Sequence, residues 1–145
     1  VAVNLAVAER WVTEHPDTEF DFFLPPYSIL FWDKVIREGR TEAVFAAIRQ
    51  AGQTLLQYDN VKFYGYLMDP EIVTNLDNYC DYIHHSGGVC REILTMLQRE
   101  EGRLTEENLE ETLANWREFV VHYDYDQFWD ERFWIQWNAE HAAAP

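Results

Sequence analysis

Asn60-Val61-Lys62-Phe63-Tyr64-Gly65-Tyr66-Leu67 is a β-branched and aromatic run that follows a long helical pattern, so it reads as a strand entered from a helix. Upstream, Glu19-Phe20-Asp21-Phe22-Phe23-Leu24 is a second aromatic run, closed by Pro25-Pro26. It shows almost no polar alternation, as expected of a strand covered on both faces. Between the two, Ile29, Trp32 and Ile36 form one helical stripe in 27–38, with Gly39 as its stop. A further helix is expected from 41 to about 58, burying Val44, Ala47, Ile48, Ala51 and Leu55. Strand, helices and strand in this order make a βαβ crossover, which joins parallel strands with a right-handed connection. The fold class is therefore α/β, of the doubly wound kind.

Outward from this unit the chain is mostly helical. Leu5, Ala8 and Val12 recur at helical spacing in 2–14, and His15-Pro16-Asp17 ends that run, because the residue before a proline is pushed out of the α region. Met68-Asp69-Pro70-Glu71 is expected to be a turn, followed by a loop to Asp77. After Gly87-Gly88 a helix is expected over 89–101 with Val89, Ile93, Leu94 and Leu97 inward, and another from an N-cap at Thr105, with Leu109, Leu113, Trp116 and Val120 as its apolar face. Trp129, Phe133 and Trp137, spaced by four, predict a last aromatic helix whose rings pack on the domain or form a platform for sugar or protein. Composition shifts near residue 100. Residues 1–100 read as the α/β part, and 101–145 as an acidic, aromatic helical extension of the same domain. Two parallel strands leave a sheet with two open edges, so an upstream segment, another chain or a second copy of this one is expected to complete it.

The totals narrow the classes. With 145 residues, 48% of them apolar and 16% aromatic, the chain has ample apolar surface to fold. A net charge of -15, from 26 acids against 11 Lys and Arg, leaves no basic stripe for a phosphate backbone, so no nucleic-acid partner is expected. Cys80 and Cys90 lack companion ligands for a metal and are expected to be buried or incidental thiols. No apolar run reaches the roughly 18 residues that span a bilayer. The chain shows neither an initiating Met nor a signal-peptide pattern, as a processed or cut-down product would.

Chemistry concentrates in Asn78-Tyr79-Cys80-Asp81-Tyr82-Ile83-His84-His85-Ser86. In a Ser-His-Asp triad the carboxylate holds the imidazole in the right tautomer and the imidazole takes the nucleophile's proton. Asp81 and His84, three apart after a strand, have the residue types for those two roles. The same spacing also suits an Asp capping a turn with a His at a helix start. Asp77 is a rival carboxylate and His85 a rival base. Ser28, between strand and helix, has the place of a nucleophile elbow without its glycines, and an N-cap role is the alternative. Ser86 is expected to cap the following helix.

Three runs, Phe22-Phe23-Leu24-Pro25-Pro26-Tyr27-Ser28, Asn60 to Tyr64 and Asp77 to His84, resemble the carboxy-terminal part of SGNH (GDSL-like) hydrolases over roughly residues 1–100. The resemblance implies a flavodoxin-like three-layer αβα fold with an incomplete sheet of about two parallel strands. It implies Asp81 as the orienting carboxylate and His84 as the general base of a triad, acting on an ester or an acyl group of a cell-surface glycan, without cofactor or metal. It also implies an extracytoplasmic or membrane-attached setting. The family's nucleophilic Ser and oxyanion-hole residues belong to earlier blocks that have no match here, so the nucleophile is expected upstream and this chain alone is expected to be almost inert. The alternative is a non-catalytic binding or assembly module that uses its acidic, aromatic carboxy-terminal region for contact.

Overall fold

The computed structural model of the protein describes residues 2–129, with side chains from residue 5 onward. Its elements run α1 (Ala2–Glu14), β1 (Phe20–Phe23), α2 (Ile29–Arg37), α3 (Thr41–Leu55), β2 (Val61–Tyr64), α4 (Pro70–Val73), α5 (Gly87–Gln98), β3 (Arg103–Leu104) and α6 (Leu109–His122). The described chain is thus mixed α/β, with six helices and a small three-stranded sheet.

β1 and β2 pair in parallel, Phe20 opposite Val61 and Phe23 opposite Tyr64. The connection between them runs through α2 and α3, as the sequence predicts. The sheet also has a member that the periodicity does not reveal. β3 pairs antiparallel with the other edge of β2, Phe63 opposite Leu104 and Tyr64 opposite Arg103. Two residues are too few to show a period. Gly102 makes the approach possible: its φ of 72° lies in the left-handed region that glycine adopts without cost, and its carbonyl accepts from Gly65 N–H at 3.0 Å.

With β2 central, its residues are the ones shielded on both faces. Val61 and Phe63 point to one side and Tyr64 to the other, and all three are buried. β1 differs from the expectation of two covered faces: Phe20 and Phe22 are half-buried while Asp21 and Phe23 are exposed. An edge strand needs only one apolar face.

The two sides of the sheet carry different cores. Val61 and Phe63 join Val12 of α1, Trp32 of α2, Phe45 of α3 and Trp116 of α6 in the larger cluster. Tyr64 packs on the opposite side with Tyr66, Ile72, Val89 and Ile93. Trp32 is the hub of the larger cluster, with ring centroids 5.2 Å from Phe45 and 6.1 Å from Trp116. Burying one large apolar side chain contributes about 3 kcal/mol, so these aromatics bind the helices to the sheet. α3 and α6 approach closely at Gly52, where a Cβ would lie 2.8 Å from Leu109 Cδ2.

Local signals explain the helix ends. Gly39, at φ 66°, closes α2 in a Schellman arrangement, with its N–H on the carbonyl of Ile36 and that of Arg40 on the carbonyl of Val35, both at 2.9 Å. The expected turn at Met68–Glu71 is the start of α4, where Asp69 accepts from Glu71 and Ile72 N–H and Pro70 takes the first helical position. α6 begins later than expected. Thr105 and Asn108 bond reciprocally, Thr105 N–H to Asn108 Oδ1 at 2.8 Å and Asn108 N–H to Thr105 Oγ1 at 3.3 Å, and the helix starts after that pair. On α5, Val89 and Ile93 are buried as expected, whereas Leu94 is 61% exposed. Cys80 and Cys90 are both exposed and free, which sets aside the buried alternative and leaves that of incidental thiols. Of the expected aromatic stripe, Phe133 and Trp137 lie outside the described residues. Among the described helices none is long and apolar enough to cross a membrane.

Candidate functional site

The run from Asn78 to Ser86 folds as a loop tied shut by its own backbone. Ser86 N–H donates to the Asn78 carbonyl at 2.7 Å and Cys80 N–H to the His84 carbonyl at 3.0 Å, with Tyr79 and His85 bridged between them. Asn78 Nδ2 donates back to the Ile72 carbonyl at 3.1 Å. Two further bonds dock the loop on the amino end of α2. Tyr79 gives its hydroxyl to the Pro26 carbonyl at 2.9 Å, and Ser28 gives its hydroxyl to the Tyr82 carbonyl at 2.9 Å. Burial pushes the Tyr79 phenol up, which keeps it a donor.

Inside this frame Asp81 and His84 meet. Asp81 Oδ1 accepts from Ile83 N–H at 2.8 Å and from His84 N–H at 2.7 Å, an Asx turn, while Oδ2 lies 2.6 Å from His84 Nδ1. The three-residue spacing is thus what an Asx turn needs to swing the imidazole back onto the carboxylate. The His84 hydrogen bond, followed by the two backbone donors, lowers the Asp81 carboxyl to about 2. Both side chains stand in solvent, 45% exposed for Asp81 and 69% for His84.

The serines are engaged elsewhere. Ser28 is buried at the N-cap of α2 and, instead of capping it, commits its proton to Tyr82; its backbone N–H donates to the same carbonyl at 3.1 Å. Ser86 caps α5 as expected, accepting from Val89 N–H at 3.5 Å. Asp77 donates its backbone N–H to Asn75 Oδ1 in the turn before the loop. His85 turns to Cys90, with Nδ1 at 3.7 Å from Sγ. None of the described hydrogen bonds joins His84 to a serine.

A concavity lies beside the pair. A cleft of about 670 Å³ opens between α2 and the loop, with Leu30, Leu76, Tyr79, Tyr82 and Trp129 among its walls. Asp33, Lys34, Arg37, Glu38 and Asp81 bring charges of both signs to it. Lys34 Nζ sits 5.0 Å above the Tyr82 ring, and Asp33, itself buried, accepts from Arg37 Nε at 2.7 Å and from Trp129 Nε1 at 3.3 Å. Asp81 faces this cleft; His84 is not among the residues lining it. Sequence reasoning singled out Asp81 but missed the α2 wall, whose Lys34 and Arg37 share a helix face with Leu30. No group of three or more His, Cys, Asp or Glu side chains among the described residues is placed to hold a metal ion.

Comparison with known proteins redirects the reading. No family model matches the chain. It is 26% identical over 90 residues to the UPF0735 ACT domain-containing protein of Lacticaseibacillus casei and, to the same extent, to that of Lacticaseibacillus paracasei. The chain is similar to ACT domain-containing proteins. The match covers 62% of this chain and 62% of each relative, so the chain spans less than two thirds of the length of the curated relatives it matches. No solved structure matches. The expected kinship with SGNH hydrolases is overturned by these relatives, and with it the reading of the chain as part of a serine esterase. The geometry supplies the physical reason for the misreading. An Asx turn and an Asp-x-x-His block share the same spacing, and here Asp81 and His84 are joined through such a turn.

Proposed function

We propose that the chain is a non-catalytic binding module that takes a small molecule in the cleft between α2 and the 78–86 loop. The carrying observation is the cleft itself: about 670 Å³, within the size range of small-molecule sites, with aliphatic and aromatic walls and a few charged groups placed to orient a ligand. The two relatives are named for a domain and not for a reaction, which favours this reading over an enzymatic one. In it, Asp81 is a fixed carboxylate on the cleft wall, ionised through the physiological range because of its low pKa, and His84 holds its orientation. Lys34 and Arg37 present cations from the opposite wall. The ligand that fits has a compact apolar or aromatic body and a charged group at one end. A flavodoxin-like three-layer description of the domain belongs to the same proposal; its support is the parallel β1–β2 pair with helices packed on both sides of the sheet.

The test is titration of the protein with a panel of small aromatic and aliphatic acids, amines and zwitterions, followed by two-dimensional NMR. Saturable shifts confined to Leu30, Tyr79, Tyr82 and Trp129 are expected for at least one class. Leu30→Trp, which fills the cleft from α2, should abolish them while leaving the remaining spectrum folded. Absence of saturable binding across the panel, or binding unaffected by L30W, would remove the cleft as the site.

A further inference from the structure

We propose that Cys90 is a thiol-modification site that exchanges with small disulfides, with His85 as the base that takes its proton. The inference stands apart from the binding cleft, since Cys90 is not among the residues that line it.

The two cysteines flank the same loop and both are exposed, yet their surroundings differ in the way that decides reactivity. Cys80 Sγ donates to the His84 carbonyl oxygen at 3.4 Å. A carbonyl oxygen can only accept, so it offers Cys80 no base to carry the thiol proton away. Cys90 Sγ lies 3.7 Å from His85 Nδ1, a nitrogen that can accept the thiol proton and then, as imidazolium, stay beside the sulfur anion. The other neighbour of Nδ1, the Ser86 carbonyl, is 3.5 Å away, longer than a normal hydrogen bond, so it competes weakly for the ring.

The fold fixes this geometry. His85 is held by its bridge to Tyr79, and Cys90 by its position in the first turns of α5, where its N–H donates to the Ser86 carbonyl at 3.3 Å. α5 carries no acid in its first turn, so negative charge developing on sulfur meets the amino end of a helix without an opposing carboxylate there. An imidazole, a helix start and solvent access converge on one sulfur.

The exchange step balances without another reactant. Cys90 gives its proton to His85 Nδ1 as its sulfur attacks one sulfur of a disulfide R–S–S–R. The R–S–S–R bond breaks, a Cys90–S–S–R bond forms, and the departing R–S⁻ takes a proton from the imidazolium.

The test uses the full chain in single-cysteine forms, C80S retaining Cys90 and C90S retaining Cys80, reacted at neutral pH with a dithiobis(nitrobenzoate) probe and with oxidised glutathione. Rates are read from the released thiolate, and the adduct is located by mass spectrometry. Cys90 should react about fivefold or more faster than Cys80, the direction expected for a thiol paired with imidazole. Adding His85→Ala or His85→Gln to C80S should bring its rate down to that of C90S, whereas adding His122→Ala, on the exposed face of α6, should leave it unchanged. Equal rates for the two cysteines, a faster Cys80, or a Cys90 rate untouched by both His85 replacements would overturn the proposal.

Discussion

Ser28 gives two hydrogen bonds to one atom. Its hydroxyl and its backbone N–H both donate to the Tyr82 carbonyl, at 2.9 and 3.1 Å, across 54 residues of sequence. With the Tyr79 hydroxyl on the Pro26 carbonyl, this double clasp links the start of α2 to the loop that carries Asp81. Ser28→Ala removes the side-chain bond and leaves the backbone one, so the expected cost is about 1 kcal/mol in chemical denaturation. Amide exchange across 79–86 should accelerate more than exchange in the sheet. Unchanged protection of the loop would show that the hydroxyl contributes nothing to docking.

Asp81 should titrate near the bottom of the carboxylate range. Its folded-state pKa of about 2 lies below the ordinary 3.8, so the ionised form favours the folded loop. That contribution is complete above the unfolded value and is lost as pH falls from about 3.8 to about 2. Carbon-detected NMR of the Asp81 carboxyl should give a midpoint near 2 in the wild type, moving upward in His84→Ala because the largest cause of the shift is then gone. An unaltered midpoint in that variant would assign the shift to the backbone donors alone.

Replacing Asp81 separates its two oxygens. Asp81→Asn keeps an Oδ1 acceptor for Ile83 and His84 N–H and gives up the charge facing His84, whereas Asp81→Ala loses both. Slow exchange of the Ile83 and His84 amides is therefore expected to survive in D81N and to vanish in D81A. Equal loss in both variants would mean that the ionic contact, and not the turn, orders the loop.

Asp33 ties the cleft wall to Trp129. Asp33→Ala leaves Arg37 without its 2.7 Å partner and removes an acceptor of the Trp129 indole, so destabilisation of about 1–3 kcal/mol is expected. The indole N–H resonance of Trp129 should shift at the same time. A stability change without that shift would place the whole effect on Arg37.

At Gly52 α3 lies tight against Leu109 of α6. Gly52→Val puts a branched side chain where even a Cβ lies 2.8 Å from Leu109 Cδ2, and overpacking there is expected to cost about 2 kcal/mol. The melting temperature of the variant measures it. A second replacement, Leu109→Ala, should recover part of the loss in the Gly52→Val background and be destabilising by itself.

The elements that the sequence disclosed are those with enough residues to show a period or a stop. α2 could be read from Ile29, Trp32 and Gly39, and the parallel pair from two aromatic runs separated by helices. β3 could not, because Arg103 and Leu104 are held by the turn at Gly102 and by β2, not by a pattern of their own. The cleft was hidden for a different reason. Its walls come from Leu30, Tyr79 and Trp129, far apart in the chain, and only the docking of the loop on α2 brings them together. Asp81 and His84 were visible as a pair, but spacing alone does not distinguish a turn that needs a carboxylate from a site that uses one. What the fold adds is their surroundings: two backbone donors on Oδ1 and the commitment of Ser28 to Tyr82.

The bond from Ser86 N–H to the Asn78 carbonyl makes the intervening segment a detachable part in the architectural sense. Because the ends of the loop already meet, the residues at its tip can be exchanged without altering the path of the chain into α5 or out of the turn before it. Variation at 81–84 therefore retunes what the surface presents while β1, β2 and the helices between them keep their packing. In such a design, novelty is confined to a few side chains at the tip, while the Tyr82 carbonyl keeps its clasp with Ser28.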